Sequence, residues 1–475
     1  MEYKIILEEI TMKNVVVRLQ EIIMNNFKNV EYGKVSLQSY VNFNKNINMN
    51  LNDILGIYGQ NGSGKTALVD ALEILKLLLS GEKLPKDMNY LINSVSQKAV
   101  LQFTFLIERL NERYFVYYSV EITKGDYKIN SKVSKETISF SPILDNKKKP
   151  KSKIIDFDMD YENIIKPMAR YNEIINVDKN NAVNLGVSKV YALEEGTSFI
   201  FNDRSIKIFN EGFIKNTIFS NIINSLKRFA ELNLFVIKSE QLGVVNMNQL
   251  LPLTFRLESE NRIISGDYAT LFGTSTISED SFILLQKIIN QINIVINAII
   301  PGMIVDIIDY GQQLDENGDI KIKVELVSVR GENKVPLRYE SDGIKKILSI
   351  LSAMISMYNK RDICLVVDEL DAGIFEYLLG EILNVLQENA RGQFIFTSHN
   401  LRALEKLNKE SIIFTTTNPK NRYIKLANVK SNNNLRDFYL RVISLGGQKE
   451  DVYEETNTYE INYAFRKAGR LLDEE

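Results

Sequence analysis

Residues 54–66 read Ile54-Leu55-Gly56-Ile57-Tyr58-Gly59-Gln60-Asn61-Gly62-Ser63-Gly64-Lys65-Thr66. An apolar run ends in a turn of the form G-x-x-x-x-G-K-[ST], and an amphipathic stretch follows. Leu68, Leu72, Leu75 and Leu79 recur at helical spacing, and Ser80-Gly81 supplies a stop. A strand, a glycine-rich turn and a helix in that order cradle phosphate. The glycines let the backbone curl so that successive N–H groups point inward, and the helix adds its positive end. The segment therefore predicts an α/β fold with a nucleotide-binding loop formed by Gly59, Asn61, Gly62, Ser63, Gly64, Lys65 and Thr66. Lys65 neutralises the β and γ phosphates of ATP, and the Thr66 hydroxyl offers itself to Mg2+.

Two further strand ends carry compatible chemistry. Ile363–Val367 is a continuous apolar run, as expected of a strand covered on both faces. It ends in Asp368 and Glu369. The first is placed to reach the metal and the second to polarise an attacking water. Phe394–Phe396 leads into Thr397-Ser398-His399-Asn400. His399 is the single histidine of the chain, and it sits at a strand's carboxyl end, where ligands gather in α/β sheets. It reads as a γ-phosphate contact.

Composition narrows the remaining classes. The 475 residues carry a formal net charge of -2, which argues against a chain built wholly to coat nucleic acid. One cysteine, Cys364, and one histidine exclude a disulfide scaffold and a multi-histidine metal centre. Both fit the cytoplasm. The opening MEYKIILEEITMK has no signal-peptide pattern. Phe282–Ile300 is interrupted by Gln286, Lys287, Asn290, Gln291, Asn293 and Asn297, and so reads as a buried helix, not a membrane span.

Elsewhere the pattern is coarser. Val15–Leu19, Glu21–Met24, Val35–Leu37, Val100–Ile107 and Tyr114–Ile122 read as strands, and Asn216 to Leu234 as helix. The Glu316-Asn317-Gly318-Asp319 turn precedes alternating Ile320, Ile322, Val324 and Leu326, which signals a hairpin. Lys147–Lys153 (KKKPKSK) reads as a solvated basic loop tip, with nucleic-acid contact as the alternative. No sustained heptads occur.

The order P-loop, strand-DE and strand-TSH resembles the ABC ATPase superfamily, in its soluble SMC/RecF/OLD-like branch. Tyr339-Glu340-Ser341-Asp342-Gly343-Ile344-Lys345-Lys346 resembles that family's signature in degenerate form, with Ser341 and Gly343 at the matching positions. Its spacing also fits: Asp368 follows Ser341 by 27 residues, and His399 follows Asp368 by 31. Asn26-Phe27-Lys28-Asn29 resembles the family's opening motif, which implies that Lys28 lies near the phosphates. Asp371 matches the D-loop aspartate. The resemblance implies a signature acting in trans on ATP held by a second copy, hence a homodimer or a higher oligomer of dimers. Gln97 and Gln102 both stand as Q-loop candidates. The implied fold is a P-loop NTPase of ABC ATPase type with an inserted α/β or helical subdomain. Residues 1–122 and 303–416 would form the ATPase domain, 123–302 the insertion and 417–475 a C-terminal extension.

NFKNVEYG, YESDGIKKIL, DELDAGIFEYLLGEIL and the NLRDFYL…LGG tail also resemble stand-alone defence ATPases, including the ATPase subunit of PARIS anti-phage systems. That likeness implies a separate effector protein, a toprim-type nuclease, and a phage-encoded trigger. The alternatives are a RecF/SMC-like DNA-repair ATPase that binds DNA directly and, further off, the nucleotide-binding subunit of a transporter. About 60 residues follow the last ATPase strand, too few for a toprim domain within the chain itself, so no nuclease activity is expected of the chain alone.

Overall fold

The computed structural model describes residues 4–9, 15–45, 53–109, 112–125, 130–240, 250–258, 262–271, 273–314, 318–429 and 434–470. At its centre is a six-stranded sheet in the order Leu234–Ile237, Cys364–Val367, Gln393–Thr397, Asp53–Tyr58, Ile412–Thr415, Tyr423–Ile424. The first five are parallel and the last is antiparallel. Alternation along these strands feeds two cores. Leu55, Ile57, Cys364, Val366 and Ile395 face one side. Ile54, Tyr58, Leu365, Val367, Phe394 and Phe396 face the other. Burial on both faces explains why these strands read as unbroken apolar runs. Cys364 pairs with Gln393, and Gln393 with Asp53. The three strands therefore end level, and the loops that begin at Gly59, Asp368 and Ser398 meet at one edge.

The helix Lys65–Leu79 lies on the first face. Leu68, Leu72, Leu75 and Leu79 are buried, and so are Val69, Ala71 and Ile74 around the cylinder. An eight-stranded antiparallel sheet closes over its far side. The order is Ile165–Lys166, Ser152–Asp158, Lys132–Leu144, Glu112–Thr123, Lys98–Arg109, Val15–Phe27, Val30–Ser36, with Lys147–Lys148 paired to Lys132–Leu144. The second face is covered by the helices Glu279–Ile299, Asp342–Asn359, Glu376–Asn389 and Leu435–Leu445. Smaller sheets join Lys4–Glu9 with Arg262–Leu271 and Leu250–Glu258, and Ser275–Ser278, Met303–Leu314 and Asn333–Pro336 with Ile320–Arg330.

The structure departs from the sequence reading in several places. Val15–Leu19 and Glu21–Met24 are one strand with a register shift between Leu19 and Glu21, where Gln20 is buried. The bulge breaks the alternation without ending the pairing. The helix that starts at Thr217 stops at Arg228, passes through a π-turn over Phe229–Asn233 and becomes the edge strand Leu234–Ile237. The antiparallel sheet runs on across residue 122 into Lys132–Leu144 and Ser152–Asp158. Residues 123–302 thus share both large sheets with the flanking segments instead of standing apart. In the basic stretch, Lys148 Nζ lies 4.5 Å from the ring centroids of both Tyr40 and Phe115, and Lys151 Nζ 4.2 Å from that of Tyr117. These two lysines rest on aromatic faces, while Lys151, like Lys147, Lys149 and Lys153, stays exposed, as the solvated reading expects.

The helix Glu279–Ile299 begins at Ser278, whose hydroxyl accepts the Ser281 N–H at 3.3 Å. Among the described residues it is the one helix long and apolar enough to cross a bilayer. Here Leu284, Leu285, Ile288, Ile289, Ile292 and Ile296 are buried on one face, while Ile283 and Ile294 are exposed. The hairpin Met303–Leu314 to Ile320–Arg330 is present; Glu316 and Asn317 of its expected turn lie outside the described residues.

Candidate active site

The strand Asp53–Tyr58 delivers the chain into the glycine-rich turn. Gly59 has φ +154°, and a Cβ there would meet Thr415 Oγ1 at 1.7 Å. Gly64 has φ +97° and caps the helix that starts at Lys65. Only glycine meets both demands without strain. Lys65 Nζ donates to the carbonyls of Gly59 and Gln60, at 2.9 Å each. Burial pulls the Lys65 ammonium below its usual pKa, against the opposing field of Asp368, Glu369 and Asp371.

Across the sheet edge, Asp368 is 1% exposed and accepts from the Thr397 hydroxyl at 2.6 Å. The same Thr397 oxygen accepts the Glu369 N–H at 2.7 Å. Glu369 turns out toward solvent with φ +49°, a left-handed conformation unusual for a glutamate. The His399 N–H donates to both carboxylate oxygens of Asp371 at 3.2 Å. Partial burial, then the nearby Lys65, hold the imidazole below its usual pKa.

One cleft of about 1370 Å³ gathers these groups. Lys65, Thr66, Asp368, Glu369, Thr397 and His399 line one part of it, with Asn61, Gly62 and Gly64 of the turn. Its other wall comes from the antiparallel-sheet side, with Lys86, Asn89, Tyr90, Asn93 and Lys124. Thr66 and Asp368 place two hard oxygen donors in the same cleft. A magnesium ion commonly takes just one or two protein oxygens and completes its shell with water and substrate phosphates, so the residues fit that ion. Gly59 and Ser63 lie outside the cleft lining. Ser63 is buried and donates to the Gln60 carbonyl at 2.7 Å.

Other expected residues are placed differently. Lys28 lines the cleft, but its ammonium pairs with Asp70 at 2.5 Å, and Asp70 also pairs with Lys238 at 3.0 Å. Ser341 is exposed and caps the helix Asp342–Asn359, accepting the Ile344 N–H at 3.4 Å. Neither Ser341 nor Gly343 lines the cleft of its own chain. A Cβ on Gly343 would meet the Gly373 carbonyl oxygen at 2.0 Å, so the signature segment packs directly on the turn that follows Asp371. Neither Gln97 nor Gln102 lines the cleft, whereas Asn93 does.

A family profile described as "AAA domain, putative AbiEii toxin, Type IV TA system" matches residues 54–405, most of the chain. The chain belongs to this family. It is an ATPase of α/β fold with an AAA domain. No curated protein matches its sequence. Among solved structures it is similar to an Smc head bound to the C-winged helix domain of ScpA, at 11% identity and TM-score 0.41, covering 86% of this chain and 98% of that one. It is similar to the SMC head domain from Thermotoga maritima at 14% identity and TM-score 0.37, covering 86% and 99%. It is also similar to the recombination mediator RecF with ATP at 12% identity and TM-score 0.34, covering 81% and 94%.

Within this AAA-domain ATPase, several residues around the site escaped the sequence reading. Thr397 joins Asp368 to Glu369, and its only signal was its place at a strand end beside His399. The Tyr423 hydroxyl and the Arg422 guanidinium brace the P-loop region from the strand pair Ile412–Thr415 and Tyr423–Ile424. No short motif marks them.

Proposed function

We propose that this chain binds Mg-ATP in the cleft and hydrolyses it between two copies of itself. We further propose that it uses this cycle in the cytoplasm to control a separate effector protein in anti-phage defence, a toprim-type nuclease released by a phage-encoded trigger. The observation that carries the catalytic part is the convergence of Lys65, Thr66, Asp368, Glu369 and His399 on one cleft that Ser341 does not reach. In this reading Lys65 and the turn N–H groups bind the phosphates. Thr66 and Asp368 hold magnesium, which neutralises phosphate charge when bound. Glu369 takes up the proton of the attacking water, and His399 contacts the γ-phosphate. Asp371 orients the His399 backbone. Ser341 and Gly343 close over the ATP of the partner copy. Lys28 reaches phosphate only by leaving Asp70.

The family's description names a toxin–antitoxin system, which supports a partner-controlling role. The competing reading is a RecF/SMC-like ATPase that binds DNA itself. One measurement tests the composite site, and a second separates the two readings. If the site is composite, hydrolysis per subunit should rise with protein concentration through the monomer–dimer range, and a flat dependence overturns the composite site. Co-expressed with the protein encoded beside it, the chain should co-purify with that protein and bind duplex DNA weakly. Tight DNA binding with a steep salt dependence and no partner would favour the competing reading.

A further inference from the structure

Lys346 is a buried lysine with an unusual position. It lies in the helix Asp342–Asn359 that Ser341 caps, and it is 3% exposed. Its ammonium donates to the backbone carbonyl of Glu369. Asp368, Glu369 and Asp371 supply a negative field around it, while burial pulls its pKa down to about 8. A buried ammonium is costly unless something holds it there, and here the direct acceptor is a carbonyl of the turn that carries the catalytic carboxylates.

That turn is the strained one. Glu369 has φ +49°, and a non-glycine residue stays left-handed only where its surroundings over-determine it. Three contacts do so. Thr397 Oγ1 accepts the Glu369 N–H at 2.7 Å, and the Glu369 carbonyl accepts from the Ala372 N–H at 3.0 Å and from Lys346 Nζ. With both ends of the residue fixed, its side chain points into the cleft.

We propose that Lys346 is a positioning residue for hydrolysis, holding Glu369 in the left-handed conformation that aims its carboxylate at the water. The inference rests on the role assigned above to Glu369. Lys346 lies on the helix that begins at Ser341, so the clamp also ties the end presented to the partner's ATP to the carboxylate serving the chain's own. Engagement of one site thereby bears on the geometry of the other.

The test is Lys346→Met and Lys346→Arg, each alone and in a Glu369→Gln background. Lys346→Met keeps the length and removes the charge and the donor. Its kcat should fall about ten- to a hundredfold, as misplacement of a reacting group does, with KM for ATP nearly unchanged. Its melting temperature should change little, because the Glu369 carbonyl that loses the lysine keeps the Ala372 N–H as a donor at 3.0 Å. Lys346→Arg should restore much of kcat. In the Glu369→Gln background, Lys346→Met should lower the residual rate by less than about twofold, because both changes act on one group. An equal penalty in both backgrounds, or a loss of melting temperature and ATP affinity in step with kcat, overturns the proposal. If Lys346→Met does not fold, Lys346→Arg decides: a folded protein with the charge retained and kcat unrecovered also overturns it. A large Lys346→Met effect beside a fully active Glu369→Gln would instead remove Glu369 from its assigned role.

Discussion

The Tyr423 hydroxyl donates to the carbonyl of Gly64 at 2.7 Å. The two residues are 359 positions apart in the chain, and their contact ties the phosphate loop to the strand pair behind it. The tyrosine ring also fills the space in front of Gly33, where a Cβ would meet it at 2.6 Å. The edge strand Tyr423–Ile424 thus pins the last residue of the turn before the helix starts.

Tyr423→Phe keeps the ring and removes the donor. The Gly64 carbonyl would lose a buried partner, which costs about 1–3 kcal/mol. The urea midpoint should fall accordingly, and ATP should bind more weakly because the turn is less fixed. Unchanged midpoint and unchanged ATP affinity would show the brace to be idle.

Arg18 and Asp53 form a second long-range tie. Their side chains are 0% exposed and 3.0 Å apart. Arg18 also donates to the carbonyls of Arg361 and Arg391, at 2.7 and 3.0 Å. Asp53 opens the strand that carries the P-loop, so the pair fastens the antiparallel sheet to it. Arg18→Met should destabilise by about 3–5 kcal/mol, the usual effect of stranding a buried charge. Chemical denaturation measures it, and a change under 1 kcal/mol would mean that Ser39 and Gln393 suffice to satisfy Asp53.

Lys65→Ala should abolish measurable hydrolysis, a loss of about a hundredfold or more, and weaken ATP binding. The turn N–H groups remain, but the fixed charge is gone. Glu369→Gln should differ in kind. It should bind ATP normally and lose about 10²–10⁴ in turnover, because the amide cannot take the water's proton. Isothermal titration and a phosphate-release assay distinguish the two. Normal turnover in either mutant would remove that residue from the site.

The parts of this arrangement carried by local pattern were legible in the sequence. Gly59–Thr66 needs a strand before it and a helix after it, and both are encoded within some 25 residues. Asp368 and His399 were legible because each closes an apolar run at a sheet edge. What local pattern cannot carry was missed. Leu234–Ile237 is a short apolar run that periodicity cannot distinguish from the end of the preceding helix. The pairing of Lys28 with Asp70 is a tertiary fact, and so is the contact of Lys346 with Glu369. The seating of Lys148 on Tyr40 and Phe115, and of Lys151 on Tyr117, is tertiary as well, because the rings come from a helix and a strand distant in the chain.

His399→Ala should slow hydrolysis and leave the fold intact. The side chain is exposed at the cleft and fills no core volume. The structural tie at this position is its backbone N–H to Asp371, which alanine keeps. A lowered melting temperature with normal turnover would contradict the assignment.

The placement of Ser341 allows a sharper test. It is exposed, it caps its helix, and it does not line the cleft holding Lys65. If it serves the partner's ATP, Ser341→Arg should bind nucleotide and fail to hydrolyse it, because a long cation blocks closure. Lys65→Ala fails for the opposite reason, in its own cleft. In a two-fold dimer of one mutant with the other, one site carries both defects and the second carries neither. Random mixing makes about half of the dimers mixed, each with one intact site of two, so about a quarter of wild-type activity should return. Strong coupling between the sites, such as the clamp at Lys346 implies, lowers that yield. The comparison is therefore with each parent alone after subunit exchange, with both mutants verified as folded dimers. Recovery above both parents places Ser341 opposite Lys65 across an interface. Demonstrated mixed dimers without recovery leave the trans signature unsupported, and full activity of Ser341→Arg alone removes it from the active site.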